Sequence, residues 1–338
     1  MRKASLLLSA LFYGYLYRTN IYVVWNHEAV PKESMTKIAI LGHGFLGKSL
    51  VDYLAHEQRQ LHVLCRTRPI LDGIAGVRFQ IGDAGDRTTL ESVITSGLTV
   101  FAVGSTFPSL TPTQLHTYAS REKEILQLAL QVTAERGGQF VYLSSSAIYG
   151  EVPVGRASES AIPAPISVYG HHKLACEKFC LEQAKTFDLP LTILRLSNPF
   201  GPRQIAERRQ GLIGIVLDNV RIGRPTQVRG DGSAIRDYVP VNVVSAVIQR
   251  LAENLGRSVP TILNVCSGEG LSTYDVLDRL SSWLGHPIEV ESIPPAAGEI
   301  QRSVLDPERL CHWAPRLPGT SFSAGLAALG SNIKNPIQ

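Results

Sequence analysis

Tyr169 and Lys173 stand four residues apart in Tyr-Gly-His-His-Lys, a spacing that puts both side chains on one face of a helix. An ammonium beside a phenol favours the phenolate. It lowers the tyrosine pKa from about 10 toward neutrality, so Tyr169 is a candidate general base and Lys173 its electrostatic partner. Upstream, Val141-Tyr-Leu-Ser144-Ser145-Ser146 carries a β-like run into serines, and a serine hydroxyl there would polarise the oxygen that gives up the proton. An isolated Tyr-x-x-x-Lys is a common chance match on an exposed helix; a glycine turn earlier in the chain makes this one informative.

That turn is Gly42-His43-Gly44-Phe45-Leu46-Gly47, the G-x-G-x-x-G spacing between a strand and a helix. Gly42 permits the tight turn, Gly44 lets the backbone approach a pyrophosphate, and Gly47 allows close helix packing. Phe45 and Leu46 open the helix whose N-terminus would hold the phosphates. The second strand ends in Cys65-Arg66-Thr67-Arg68, where an enzyme using NAD usually has an acid for the ribose hydroxyls. Arg66 or Arg68 would instead pair with the 2′-phosphate of NADP, the alternative being that both are merely solvated. The cofactor is therefore expected to be NAD or NADP, with the two arginines favouring NADP. Asp83, after Val-Arg-Phe-Gln-Ile-Gly, would accept from the adenine amine or cap the next helix.

These groups need elements to hold them. From Lys37 short β-branched runs alternate with longer helical patterns: KIAILG, a helix from Phe45, LHVLCR, VRFQI, LTVFAV, a long helix from Pro112, QFVYLSS, a helix from Val168 to Phe187, and LTILRL. That rhythm predicts an α/β fold of the Rossmann type, a doubly wound parallel sheet covered on both faces. After Asn198 the pattern loosens around Pro199, Gly201, Pro202, Gly223, Pro225, Gly230 and Gly232. The expected organisation is a dinucleotide-binding domain over 35–198 and a smaller, interleaved substrate-binding α/β region over 199–330.

Composition narrows the function classes. The chain has 338 residues, 44% of them hydrophobic, and a formal charge of +4 without a dense basic block, which gives a nucleic-acid surface little support. Five dispersed cysteines predict reduced thiols and a cytoplasmic setting. His172, Cys176 and Cys180 share a helical face, but no second ligand group accompanies them in sequence, so core packing is expected and no metal site. In residues 1–34, Arg2 and Lys3 precede an apolar stretch from Leu6 to Tyr17 that Arg18 interrupts. It is shorter than the roughly 20 residues of a membrane-spanning helix. The folded unit is expected to start near Met35 after a leader; the alternative for the leader is a peripheral membrane anchor.

Together these motifs resemble the extended short-chain dehydrogenase/reductase family, and within it the nucleotide-sugar epimerase/dehydratase group that includes UDP-glucose 4-epimerase, from about Lys37 to about Trp313. The resemblance implies Ser145, Tyr169 and Lys173 as catalytic residues, with Lys173 also binding the nicotinamide ribose. Arg195-Leu-Ser-Asn198-Pro-Phe-Gly-Pro is similar to the family's R-x-x-N-P-x-G-P, and Gly230-Asp-Gly-Ser-Ala-Ile-Arg236-Asp237-Tyr238-Val239 to its GDG…RDYV segment. These imply Asn198 and Arg236 as ligands of a sugar diphosphate, and a homodimer built on the helices from Pro112 and Val168. Four departures stand out: Leu41 replaces the first glycine of the family's longer turn, and Phe101-Ala-Val-Gly104 its fourth-strand sequence. Val243 stands where an Asp is common, and Ser146-Ala147 follows Ser145 where dehydratases carry Asp-Glu. The implied function is an NAD(P)-dependent 4-epimerase of a nucleotide-diphosphate sugar. The alternatives are an NADPH-dependent reductase of a nucleotide-4-keto-sugar and a non-catalytic NADP-binding protein.

Overall fold

The computed structural model describes residues 36–56, 59–69, 73–104, 111–204, 211–295 and 299–330. The leader expected over 1–34 lies outside the described residues. Among the described residues no helix is long and apolar enough to cross a membrane.

Seven parallel strands form the main sheet: β1 (Lys37–Leu41), β2 (Gln60–Cys65), β3 (Val77–Ile81), β4 (Leu98–Phe101), β5 (Gln139–Ser145), β6 (Leu191–Leu196) and β10 (Ile262–Val265). Their spatial order is β10-β6-β5-β4-β1-β2-β3. The sequence pattern locates the first six, though β4 stops at Phe101, two residues short of the apolar run. It does not flag β10, whose four residues ILNV are too short to show a period. Both faces are buried, which is why β1 reads as an apolar run after Lys37 and why β4 and β6 are buried along their whole length, Thr99, Thr192 and Arg195 included. One face packs Ile38, Ile40, Val63, Val100, Val141 and Leu194 against α1 (Phe45–His56) and α6 (Val241–Glu253). The other packs Ala39, Leu41, Phe101, Phe140, Tyr142 and Ile193 against α2 (Arg87–Val93), α3 (Pro112–Glu135) and α4 (Val168–Phe187).

The helices start where local chemistry starts them. Thr111 and Gln114 form a reciprocal capping box with Pro112 at the first helical position of α3, satisfying N–H groups that a helix end leaves without partners. Ser167 caps α4 by accepting from the Gly170 N–H. Asp86 caps α2, which corrects the alternative that gave this cap to Asp83. Asp83 lies three residues too early and instead accepts from the Gly85 N–H at 2.6 Å and the Arg121 guanidinium at 3.0 Å.

Beyond the sheet, β7 (Asn198–Phe200), β9 (Ile235–Pro240), β11 (Gly270–Leu271) and β13 (Arg302–Ser303) form a four-stranded sheet, and β8 (Thr226–Arg229) pairs with β12 (Val290–Ile293). Here α5 (Leu212–Arg221) and α7 (Thr273–Leu284) bury Ile213, Val216, Leu277 and Leu280 in a separate core. α8 (Glu308–Trp313) and α9 (Phe322–Ala328) complete the elements of the described residues.

Candidate active site

All seven strands of the main sheet point the same way, so their C-terminal ends meet along one edge. The order reverses about β1, which has β2 on one side and β4 on the other. Such a reversal opens a crevice where open α/β sheets bind ligands. The glycine turn leaves β1 at this point. The Gly42 N–H donates to the Leu64 carbonyl at 3.1 Å, and the Ala102 N–H to Leu41 at 2.9 Å. Gly42 has φ +110°, and a Cβ there would lie 2.7 Å from the Ala102 carbonyl oxygen. A Cβ on Gly47 would meet the Gly42 oxygen at 2.0 Å, whereas at Gly44 it would meet nothing within 4 Å. Two glycines are thus demanded by the protein's own backbone, while the third faces open space at the start of α1, whose first turn carries no acid. Exposed backbone and a helix N-terminus are what a pyrophosphate requires, so these residues fit a dinucleotide.

His43 lies within this turn with its ring edge-on to Phe79, 5.2 Å between centroids. Burial, reinforced by Lys48, pushes it down to about 4, so at neutral pH it adds no charge. Arg66 and Arg68 follow β2 as exposed residues, and Asp83 follows β3 on the same edge, its carboxylate engaged by Arg121.

Ser145 ends β5, and its hydroxyl accepts from the Ala147 N–H at 3.2 Å, capping a 3-10 turn over Ser146–Tyr149. Tyr169 sits partly exposed in the first turn of α4, and its neighbour Gly170 explains how it comes near that turn. A Cβ on Gly170 would lie 2.5 Å from the Ala147 carbonyl oxygen, so only glycine lets α4 press this closely on the chain leaving Ser145.

Lys173, one helical turn on, differs from the simple picture of an amine aimed at a phenol. Its Nζ lies 5.9 Å from the Tyr169 ring centroid, and it donates to Glu122 Oε1 at 3.1 Å and to the Tyr142 hydroxyl at 3.2 Å. Glu122 belongs to α3 and is fully buried, with His172 Nε2 3.5 Å away. The sequence offers no further ligand group beside His172 and Cys176; the fold brings one polar group to them, Glu122, from another helix. Sequence reasoning missed Glu122 because it stands in Arg121-Glu-Lys-Glu124, which looks like a solvated face. The available signal was its position four residues before Leu126 and eight before Leu130, on the stripe of α3 that is buried.

A second buried network braces the same elements. Glu177 on α4 takes a bidentate contact from Arg195 on β6, with Nη2 at 2.8 Å and Nε at 3.2 Å, and accepts from the Ser144 hydroxyl at 2.5 Å. Arg195 also donates to the Tyr149 hydroxyl at 2.9 Å, which in turn donates to Asn264 Oδ1 at 2.8 Å. Burial pushes the Tyr149 phenol up to about 12 despite the arginine, so it serves as a hydrogen-bonding strut.

Asn198 and Arg236 lie on paired strands of the small sheet, where Asn198 pairs in register with Tyr238, two residues beyond Arg236. Asn198 opens β7, and its Nδ2 donates to the Asp237 carbonyl at 2.8 Å. Arg236 donates to its own strand's Ile235 carbonyl at 3.0 Å and lies 3.9 Å from Glu299. Between them Asp237 points inward to accept from Ser267, Gly268 and Leu305 N–H groups; burial raises its carboxyl, and those donors oppose the rise.

Comparison with known proteins bears on the family and the fold. Residues 38–266 match the NAD dependent epimerase/dehydratase family. A UDP-glucose 4-epimerase of Mycolicibacterium smegmatis is 30% identical over 195 residues, which is 58% of this chain and 62% of that protein, a little under two thirds of its length. A dTDP-glucose 4,6-dehydratase of Streptomyces niveus is 24% identical over 76% of each chain. The solved UDP-glucose 4-epimerase of Thermus thermophilus, a complex with NAD, superposes with a TM-score of 0.74 at 26% identity, covering 89% of this chain and 100% of that one. The chain belongs to the NAD dependent epimerase/dehydratase family: it is an extended short-chain dehydrogenase/reductase with a Rossmann-like fold, and an enzyme.

Proposed function

We propose that this member of the family is a 4-epimerase of a nucleotide-diphosphate sugar, with Tyr169, Lys173 and Ser145 as its catalytic residues. The observation that carries the reading is the Gly170 contact, which brings the Tyr169 turn of α4 against the chain leaving Ser145, with a buried ammonium behind it. Tyr169 takes the proton of a sugar hydroxyl, Ser145 hydrogen-bonds the same oxygen, and Lys173 supplies positive charge. The Gly42–Gly47 turn would hold the pyrophosphate of a dinucleotide and Lys173 its nicotinamide ribose, and the nicotinamide would supply the hydride acceptor and donor. Asn198 and Arg236 hold the diphosphate, Arg236 by exchanging the 3.9 Å approach to Glu299 for a phosphate. Ser146 and Ala147, in place of the acidic pair of dehydratases, leave an elimination without its proton donor and acceptor.

A reductase using NADPH is the second reading, favoured by Arg66, which is exposed at the end of β2 with no acid beside it in sequence. Fluorescence titration with NADH and NADPH tests the cofactor preference: an Arg66→Ala variant that leaves the ratio of the two affinities unchanged removes the argument for NADP. Incubation with a panel of nucleotide sugars, with and without NADPH, decides the reaction. Interconversion of C4 epimers without net cofactor consumption is expected, whereas NADPH loss only with 4-keto sugars overturns the epimerase reading. We further propose a cytoplasmic homodimer packed through α3 and α4, whose exposed apolar residues include Tyr118 and Leu181. Sedimentation as a monomer refutes the dimer.

A further inference from the structure

A lysine that acts from a buried position faces a physical difficulty, because burial disfavours the ammonium and would strip it of its proton. Lys173 is only 7% exposed. What surrounds it decides its charge. From α3 comes the fully buried Glu122 carboxylate; from β5, the Tyr142 hydroxyl, whose ring also lies 5.2 Å beneath the ammonium. From α4 come Tyr169, His172, Cys176 and Cys180, with Glu177 one turn further on but already committed to Arg195. Cys176 Sγ lies 3.6 Å from His172 Nε2. Among these groups Glu122 is the one carboxylate in contact with Lys173, and it also faces the His172 imidazole.

We propose that Glu122 is a positioning residue for the catalytic pair: its carboxylate, delivered from α3, fixes the Lys173 ammonium behind Tyr169 and keeps it protonated. The proposal rests on the reading of Tyr169 and Lys173 as the catalytic pair. Geometry supports it first, since one carboxylate oxygen lies 3.1 Å from the amine and 3.5 Å from the imidazole. Electrostatics point the same way: burial pulls the Lys173 amine down, but Glu122, then Tyr169 and Cys176, outweigh it and hold it above its ordinary range. Burial likewise opposes charge on His172, yet Cys176 and Glu122 raise it to about 9. Donor atoms of Glu122, His172 and Cys176 all lie within 4.8 Å of one another, a spacing that a divalent cation accepts. The charge that this carboxylate contacts here is the ammonium, 3.1 Å from its Oε1.

The test replaces Glu122 by Gln, which keeps size and hydrogen bonding but removes the charge. Lysine labelled with 13C at Cε allows Lys173 to be titrated by NMR, with Lys173→Met assigning the signal. In the wild type the Lys173 signal should stay that of an ammonium beyond pH 10.5, and in Glu122→Gln its midpoint should fall by about two units or more. Turnover should follow: the alkaline fall of the pH–rate profile should set in at lower pH in Glu122→Gln than in the wild type, and Glu122→Asp should move it part of the way back. A purely structural role would lower turnover equally at every pH. An unmoved Lys173 midpoint in Glu122→Gln, with Tyr169→Phe inactive, overturns this proposal alone, whereas a fully active Tyr169→Phe overturns the catalytic reading beneath it. Should Glu122→Gln fail to fold, the wild-type titration decides, since a Lys173 midpoint at or below the ordinary lysine value overturns the proposal.

Discussion

Tyr169 is the residue on which the chemistry turns, and removing one oxygen from it separates catalysis from binding. Tyr169→Phe should lower kcat by roughly 10²- to 10⁴-fold, the range for loss of a positioned general base, while NADH fluorescence shows binding close to that of the wild type. A variant that keeps full turnover rules out this phenol as the base. His172 offers a prediction in pH. Its native value of about 9 lies above the unfolded value near 6.5, so its contribution to stability is fully present below pH 6.5. It is lost as pH rises through about 9. The upper bound is about 3 kcal/mol at about 1.4 kcal/mol per unit. Denaturant midpoints should therefore fall between pH 6.5 and 9 in the wild type and fall less in His172→Gln; parallel profiles contradict the assignment.

Among the elements, α4 carries the greatest demand, because one helix presents Tyr169, Lys173 and the Glu177 brace. The brace is a buried ion pair, and such pairs are hard to break one partner at a time. Glu177→Ala leaves Arg195 buried without its counterion and should cost about 3–5 kcal/mol in urea unfolding. The contact between α4 and the turn after Ser145 depends on geometry alone. A methyl group at Gly170 would sit 2.5 Å from a backbone oxygen, and backbone yields less readily than a side chain. Gly170→Ala should fold yet lose roughly tenfold or more in kcat/KM, because a small misplacement of Tyr169 is enough. Unchanged kcat/KM would show that the close approach does not matter to catalysis. The glycine also explains why the motif reads Tyr-Gly rather than Tyr followed by a better helix former.

At the scale of the molecule, a parallel sheet whose order reverses about β1 leaves one crevice where the strand ends diverge. The glycine turn faces it from β1, Ser145 from β5, and Asn198 from the chain just after β6. Cofactor binding should therefore stabilise the whole fold by linkage, by about 2.7 kcal/mol at a roughly hundredfold excess over Kd. Thermal unfolding with and without NAD or NADP measures it. Gly47→Ala, whose Cβ would strike the Gly42 carbonyl at 2.0 Å, should abolish the cofactor-dependent rise in Tm. A rise of wild-type size in that variant would mean the cofactor lies elsewhere.

The amino-acid sequence by itself determined what is local or periodic. The six strands with β-branched runs, the glycine turn between β1 and α1, and the Tyr169–Lys173 spacing are properties of short segments, and short segments carry them into the fold. What only the tertiary structure decided is which distant groups meet. Glu122 is 51 positions from Lys173, and nothing in its charged neighbourhood announces that packing of α3 on α4 will exclude water from it. Arg195 reads as one residue of a motif, yet the register of β6 beside β5 turns it into a brace for Glu177 and Tyr149. Asp86 took the helix cap from Asp83 because capping needs a set offset from the first turn, which a composition of turn residues does not specify. The division is physical: backbone conformation answers mostly to neighbours along the chain, whereas the charge state of a buried side chain answers to whatever the fold brings within a few ångströms of it.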